Sequence, residues 1–250
     1  MNKVIHMCTD RLLPDNLQKK ALEVAINENP DNATRVTIKD TENPKPLSLL
    51  KAKKWRSGRT LRVHFIEGDQ RVKQKVEHYA KMWENYANIK FDFRNDPNAE
   101  IRISFNMNSG SWSYVGTDCL LIDSPNATMN YGWLKPETPD HEYERVVVHE
   151  FGHALGCHHE HQHPNHDIPW DEEAVYRFYM GPPNNWSREA VYNNVLKRYS
   201  REETNSSRFD KASIMLYAID DDLTLGDYAV GWNTKLSEID KQFINSIYPF

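Results

Sequence analysis

Residues 149–162 read HEFGHALGCHHEHQ and carry five of the protein's 11 histidines. His149 and His153 are four apart, so on a helix they share one face a turn apart and can offer two imidazole nitrogens to a single tetrahedral ion. Gly156 tolerates the left-handed conformation that stops a helix and turns the chain sharply. One of the adjacent histidines that follow, His158 or His159, can then come back as a third ligand. Three protein ligands leave a fourth position to water, which is the arrangement of catalytic rather than structural zinc. Glu150, beside the first histidine, is placed to take a proton from metal-activated water as it attacks a carbonyl.

The rest of the 250 residues has to build a scaffold for that helix. With 39% hydrophobic residues and no break in composition, the chain fits one sizeable domain with a short appendage. A net charge of −5, with no basic stripe interleaved with aromatics, removes nucleic acid as a partner. No run of apolar residues reaches the length of a membrane span or a Sec signal. The expectation is a monomer made in the cytoplasm and, where exported, carried by a leaderless or specialised route. Cys8, Cys119 and Cys157 match no disulfide framework, and at least one of the three must stay unbridged.

Residues 1–50 read as an N-terminal extension. Leu17, Ala21, Val24 and Ala25 have helical spacing, Asn29-Pro30 stops them, and DTENPKPLS serves as a linker. Residues 51–250 follow as the main domain. Leu61, Val63 and Phe65 alternate as a half-buried strand does, and Val72, Val76, Tyr79, Ala80 and Trp83 fall on one helix face. Four more strands are expected in NIKFDFRN, AEIRISFN, GSWSYVG and TMNYGWL. A second long helix opens near Pro139 and ends at Gly156. Beyond it the pattern is loop-rich and helical, with a last helix beginning at Ser237 and Asp240 in capping-box spacing.

HEFGHALGCHHE resembles the H-E-x-x-H-x-x-G-x-x-H pattern of the metzincin zinc peptidases, and Glu160 after the last histidine resembles their astacin branch. SIMLY, residues 213–217, is similar to the Met-turn of that branch. The resemblance implies an α+β fold: a twisted five-stranded mixed sheet with two long helices as an upper subdomain (51–158), a loop- and helix-rich lower subdomain (159–250), and a cleft between them. It implies one catalytic Zn2+ on His149, His153 and His159, with Met215 as a platform beneath them. Tyr217 would be a flexible fifth ligand and oxyanion stabiliser. Ser111, Trp112, Ser113 and Tyr114 would form the edge strand on which a protein or peptide substrate pairs. Two features depart from the astacin pattern: three cysteines cannot reproduce its disulfides, and HQHPNHDIPW stands where an arginine pattern is usual.

Some metzincins are kept latent by an N-terminal residue on the open zinc position, and CTD supplies both Cys8 and Asp10 for that role. The expected activity is a zinc-dependent endopeptidase. The alternatives are a catalytically silent zinc module that binds peptides, and a toxin-like protease with one host target.

Overall fold

The computed structural model describes residues 8–35, 53–182, 184–199 and 208–250. The linker expected around DTENPKPLS lies outside these residues. The elements in chain order are β1 (Cys8–Arg11), α1 (Gln18–Glu28), β2 (Arg59–Phe65), α2 (Gln70–Ala80), β3 (Ile89–Phe93), β4 (Ile101–Ser104), β5 (Ser111–Tyr114) and β6 (Met129–Asn130). After them come α3 (Asp140–Ala154), α4 (Glu172–Met180), α5 (Arg188–Val191) and α6 (Glu238–Ile247). The fold is α+β, as expected, and all five anticipated strands form.

The sheet has a sixth member. Its order is β1-β5-β6-β4-β2-β3, parallel throughout except for the antiparallel pair β5 and β6. The extra strand comes from the N-terminal extension: Cys8 to Arg11 lie against Ser111 to Tyr114 in parallel register. β5, expected to offer an open edge, is therefore covered by the chain's own residues.

The upper core is built by the alternation that marks the strands. Leu61, Val63, Ile89, Phe91, Ile101 and Ile103 are buried against Val72, Val76 and Ala80 of α2 and Val147 and Phe151 of α3. Phe91 meets Phe151 edge to face with ring centroids 4.9 Å apart. α2 starts cleanly because the Asp69 side chain accepts a hydrogen bond from Arg71 N. α3 carries Asp140 and Glu142 in its first turn, where negative charge suits the helix dipole.

The lower part has a smaller core, made of Val175, Tyr176 and Tyr179 from α4, Val191 from α5, then Val195, Tyr217 and Leu223. α6 closes the chain with the expected capping box, Ser237 and Asp240 each bonding the other's backbone. Among the described residues no helix is long and apolar enough to cross a membrane, and none of the three cysteines forms a disulfide.

Candidate active site

α3 ends in a Schellman turn. Cys157 N donates to Gly152 O at 2.9 Å, Gly156 N donates to His153 O at 2.8 Å, and Gly156 has φ +95°. The carbonyls left over at the helix end are taken up by distant groups. Trp55 Nε1 donates to Ala154 O at 2.8 Å and the Tyr248 hydroxyl to Leu155 O at 2.7 Å. The turn is thus held from both ends of the main domain, and it aims His159 back at the helix.

His149, His153 and His159 converge. His153 Nε2 lies 3.1 Å from His149 Nε2 and 3.2 Å from His159 Nε2. Three nitrogens at the corners of a tetrahedron around zinc, each about 2.0–2.1 Å from it, stand about 3.3 Å apart, so the spacing fits the ion. The outer ring nitrogens are engaged as a zinc site needs: His149 Nδ1 donates to Ile214 O and His153 Nδ1 to Cys157 O, each at 2.8 Å. Those bonds put the proton on Nδ1 and leave the Nε2 lone pairs for a metal. His158 points elsewhere, with its ring 5.3 Å from Tyr199. Among the described residues the buried set able to hold an ion is His149, His153 and His159; Cys8 is not in it.

Met215 lies under the helix. A Cβ built on Gly152 would come within 2.5 Å of its sulfur, so only glycine lets the loop approach α3 between His149 and His153. The Met215 carbonyl accepts from Glu160 N at 3.0 Å, and Glu160 Oε1 accepts from Asp210 N at 2.8 Å. These bonds tie the third-ligand segment to the Met-containing loop. Burial pushes the Glu160 carboxyl up to about 8, although the Asp210 hydrogen bond pulls the other way.

Glu150 is completely buried, and the Cys8 thiol is buried beside it. Burial first, then the charge of Glu150, push that thiol well above its usual range. The Tyr217 hydroxyl donates to the backbone carbonyl of Cys8. Its ring rests 4.4 Å from His159 and 4.3 Å from His161. Cys8 and Tyr217, both expected at the metal, are thus brought to the site, and they are hydrogen-bonded to each other through the Cys8 carbonyl. Asp10 is on β1 opposite Ser113, and its side chain lies outside the described residues.

Two contributors were not singled out as site residues from the sequence, although His161 is one of the histidines flanking the cluster. His161 stacks on His159 at 5.0 Å while its Nε2 donates to Asn194 O at 2.8 Å. Arg145, one turn before His149 and on the same face, pairs with Glu142 and lies over the Trp232 ring at 4.1 Å. The i, i+4 spacing of Arg145 and His149 was the available signal.

A mostly parallel sheet over a helix bearing two histidines, a third histidine beyond a glycine turn and a methionine beneath define the metzincin class of zinc metalloendopeptidases. Comparisons with known proteins narrow this. The model of the astacin peptidase family matches residues 49–249, and the chain belongs to that family. Two solved structures of myroilysin are similar. One has 46% identity and a TM-score of 0.78, covering 80% of this chain and 98% of that one. The other has 47% identity and a TM-score of 0.64, covering 79% and 86%. High choriolytic enzyme 1, a hatching-enzyme zinc protease of the medaka fish Oryzias latipes, shares the fold at 17% identity and a TM-score of 0.54, over 79% of this chain and 94% of that one. No curated protein matches the chain in sequence.

Proposed function

We propose that this zinc metalloendopeptidase cuts peptide bonds within extended protein segments, with Glu150 as general base and His149, His153 and His159 as the zinc ligands. The observation that carries the reading is the way β1 sits in the cleft. A stretch of peptide pairs with β5, its Cys8 carbonyl accepts from Tyr217, and the Cys8 side chain is buried beside Glu150. A substrate strand laid on β5 would meet the same groups. When bound, zinc supplies the Lewis acidity that makes water nucleophilic near neutral pH. Glu150 takes the proton of the attacking water and returns one to the leaving amine. The Tyr217 hydroxyl donates to the carbonyl oxygen as negative charge builds on it. His161 packs against both His159 and Tyr217, whose rings also touch each other, and helps to keep both in place.

The same arrangement supports latency. Residues 1–50 act as a regulatory extension on a catalytic domain of residues 51–250, divided at 158/159 into upper and lower subdomains. β1 fills the substrate edge, the Cys8 side chain lies beside Glu150, and the Cys8 carbonyl occupies Tyr217.

The test is Glu150→Gln, with zinc content measured beside cleavage of an unbiased peptide library. Zinc retained and the rate reduced by about 10² or more is expected, since the proton acceptor goes while the ligands stay. Cleavage near the wild-type rate removes Glu150 from the mechanism. Peptide binding without cleavage in every form of the wild-type chain, including one lacking the extension, favours the silent binding module.

A further inference from the structure

Side chains along a strand alternate between faces. In β5, Ser111 and Ser113 take one face and Trp112 and Tyr114 the other; Trp112 is buried, Tyr114 half-buried, and their rings meet edge to face at 6.0 Å. Arg11, opposite Tyr114 in the register, reaches this outer face and lays its guanidinium 3.6 Å from the centre of the Trp112 ring. Arg11, Trp112 and Tyr114 also line an open cavity of about 510 Å³ together with Asp123, Asn106 and Asn126. An indole face, a phenol, a carboxylate and side-chain amides suit a cation, and guanidinium in particular stacks on such rings. A carboxylate in the same place would face both the ring's negative quadrupole and Asp123.

Any strand paired with β5 must send alternate side chains to this face, whichever way it runs. We infer that Trp112, Tyr114 and Asp123 form a subsite for a basic side chain, filled by Arg11 in the intact chain and by a substrate arginine or lysine once residues 8–11 have left. The inference rests on the proposal that substrate pairs with β5. Arg11 is three residues from Cys8, about 10 Å along an extended chain, so the selected residue lies about three positions from the bond that is cut.

Two measurements on the full-length protein test this. In the first, alkylation of Cys8 by iodoacetamide is followed by peptide mass spectrometry under native conditions. Arg11→Ala and Arg11→Leu should label about tenfold faster than wild type, and Arg11→Lys at nearly the wild-type rate. If Arg11→Leu protects Cys8 as well as arginine does, the contact is apolar packing and the subsite is refuted. In the second, the full-length protein and its Cys8→Ala variant are given peptides with arginine, leucine or glutamate at each position. One position should favour arginine over leucine about tenfold in kcat/KM, and Trp112→Leu or Asp123→Asn should bring that ratio near one. A library with no such position, or a preference that survives Trp112→Leu, overturns the inference. If neither form cuts any peptide, β1 still closes the cleft as the latency reading allows, and the alkylation series decides whether the groove selects a cation.

Discussion

His149 Nδ1 and the carbonyl oxygen of Ile214 are 2.8 Å apart, and this one bond joins the metal-binding helix to the loop that carries Met215. Behind it stands Asp240. Its carboxylate accepts from Ile214 N at 2.8 Å and Ser213 Oγ at 2.7 Å while also capping α6 through Ser237 N at 2.9 Å. The first residues of the C-terminal helix therefore set the position of a carbonyl that orients His149, a proposed zinc ligand.

Asp240→Ala should weaken zinc binding about 10- to 100-fold, the usual cost of losing an outer partner of a ligand. It should also lower stability by about 1–3 kcal/mol, because buried donors lose their acceptor. Competition with a chelator measures the first effect and urea unfolding of the zinc-free protein the second. Unchanged zinc affinity with reduced stability would confine Asp240 to the helix cap.

The three histidines of the cluster separate from their neighbour. His149→Ala, His153→Ala and His159→Ala should each lose bound zinc on dialysis, whereas His158→Ala, whose ring lies beside Tyr199, should keep it. Metal analysis of the four variants checks this, and zinc lost from His158→Ala but kept in His159→Ala would reverse the assignment at the Gly156 turn.

Gly152→Ala sets two effects against each other. Alanine favours a helix interior by about 1 kcal/mol over glycine, but its methyl would come within 2.5 Å of the Met215 sulfur and 3.3 Å of Trp83 Cζ2. Overpacking of that kind costs about 1–3 kcal/mol, so net destabilisation is expected. A double-mutant cycle with Met215→Ala should show coupling, because removing the thioether makes room for the methyl. Purely additive effects would mean that the two residues do not press on each other.

Much of the fold could be read in the sequence wherever one face of an element is buried. Leu61, Val63 and Phe65 announce β2, and Val72, Val76 and Ala80 announce α2, because a single core imposes their periods. Gly156 and the two histidines of α3 are legible for the same local reason: the turn and the ligand spacing are properties of neighbouring residues. β1 was not legible. Cys-Thr-Asp-Arg has no apolar alternation, and it becomes a strand only because β5 offers it backbone partners. The bonds of Trp55 and Tyr248 to the end of α3 span 99 and 93 residues, and Asp240 reads locally as a cap with no sign of its second role at Ile214. The part of the site that depends on distant partners appears only in three dimensions.

His166 predicts an acid-sensitive contribution to stability. Burial, then the charge of Arg198, hold its imidazole down at about 4. Arg198 Nε lies 3.0 Å from His166 Nε2 and Arg198 Nη2 donates to the His166 carbonyl at 3.0 Å. The unfolded chain takes up the proton near pH 6.5, so between about pH 6.5 and 4 it binds more protons than the folded chain and is favoured. The contribution is complete above pH 6.5 and is lost as pH falls toward 4. Replacing His166 by glutamine should therefore reduce the fall in melting temperature between pH 7.5 and 4.5, read on the zinc-free protein to keep metal release out of the measurement. Equal slopes for wild type and variant would show that this imidazole does not titrate differently on folding.

Cys8 provides the sharpest distinction between the two latency residues. If its side chain blocks the site, Cys8→Ala in the full-length protein should raise peptide cleavage, because the thiol beside Glu150 is gone. Removal of the extension up to about residue 45 should raise it further, since β1 itself also leaves β5. Were Asp10 the blocking group, truncation would give the same gain and Cys8→Ala none. Rates of one peptide substrate for wild type, Cys8→Ala, Asp10→Ala and the truncated chain decide among these. Equal rates for wild type and truncated chain would make β1 a structural strand that substrate displaces without cost, and the zinc ligands would stand as assigned.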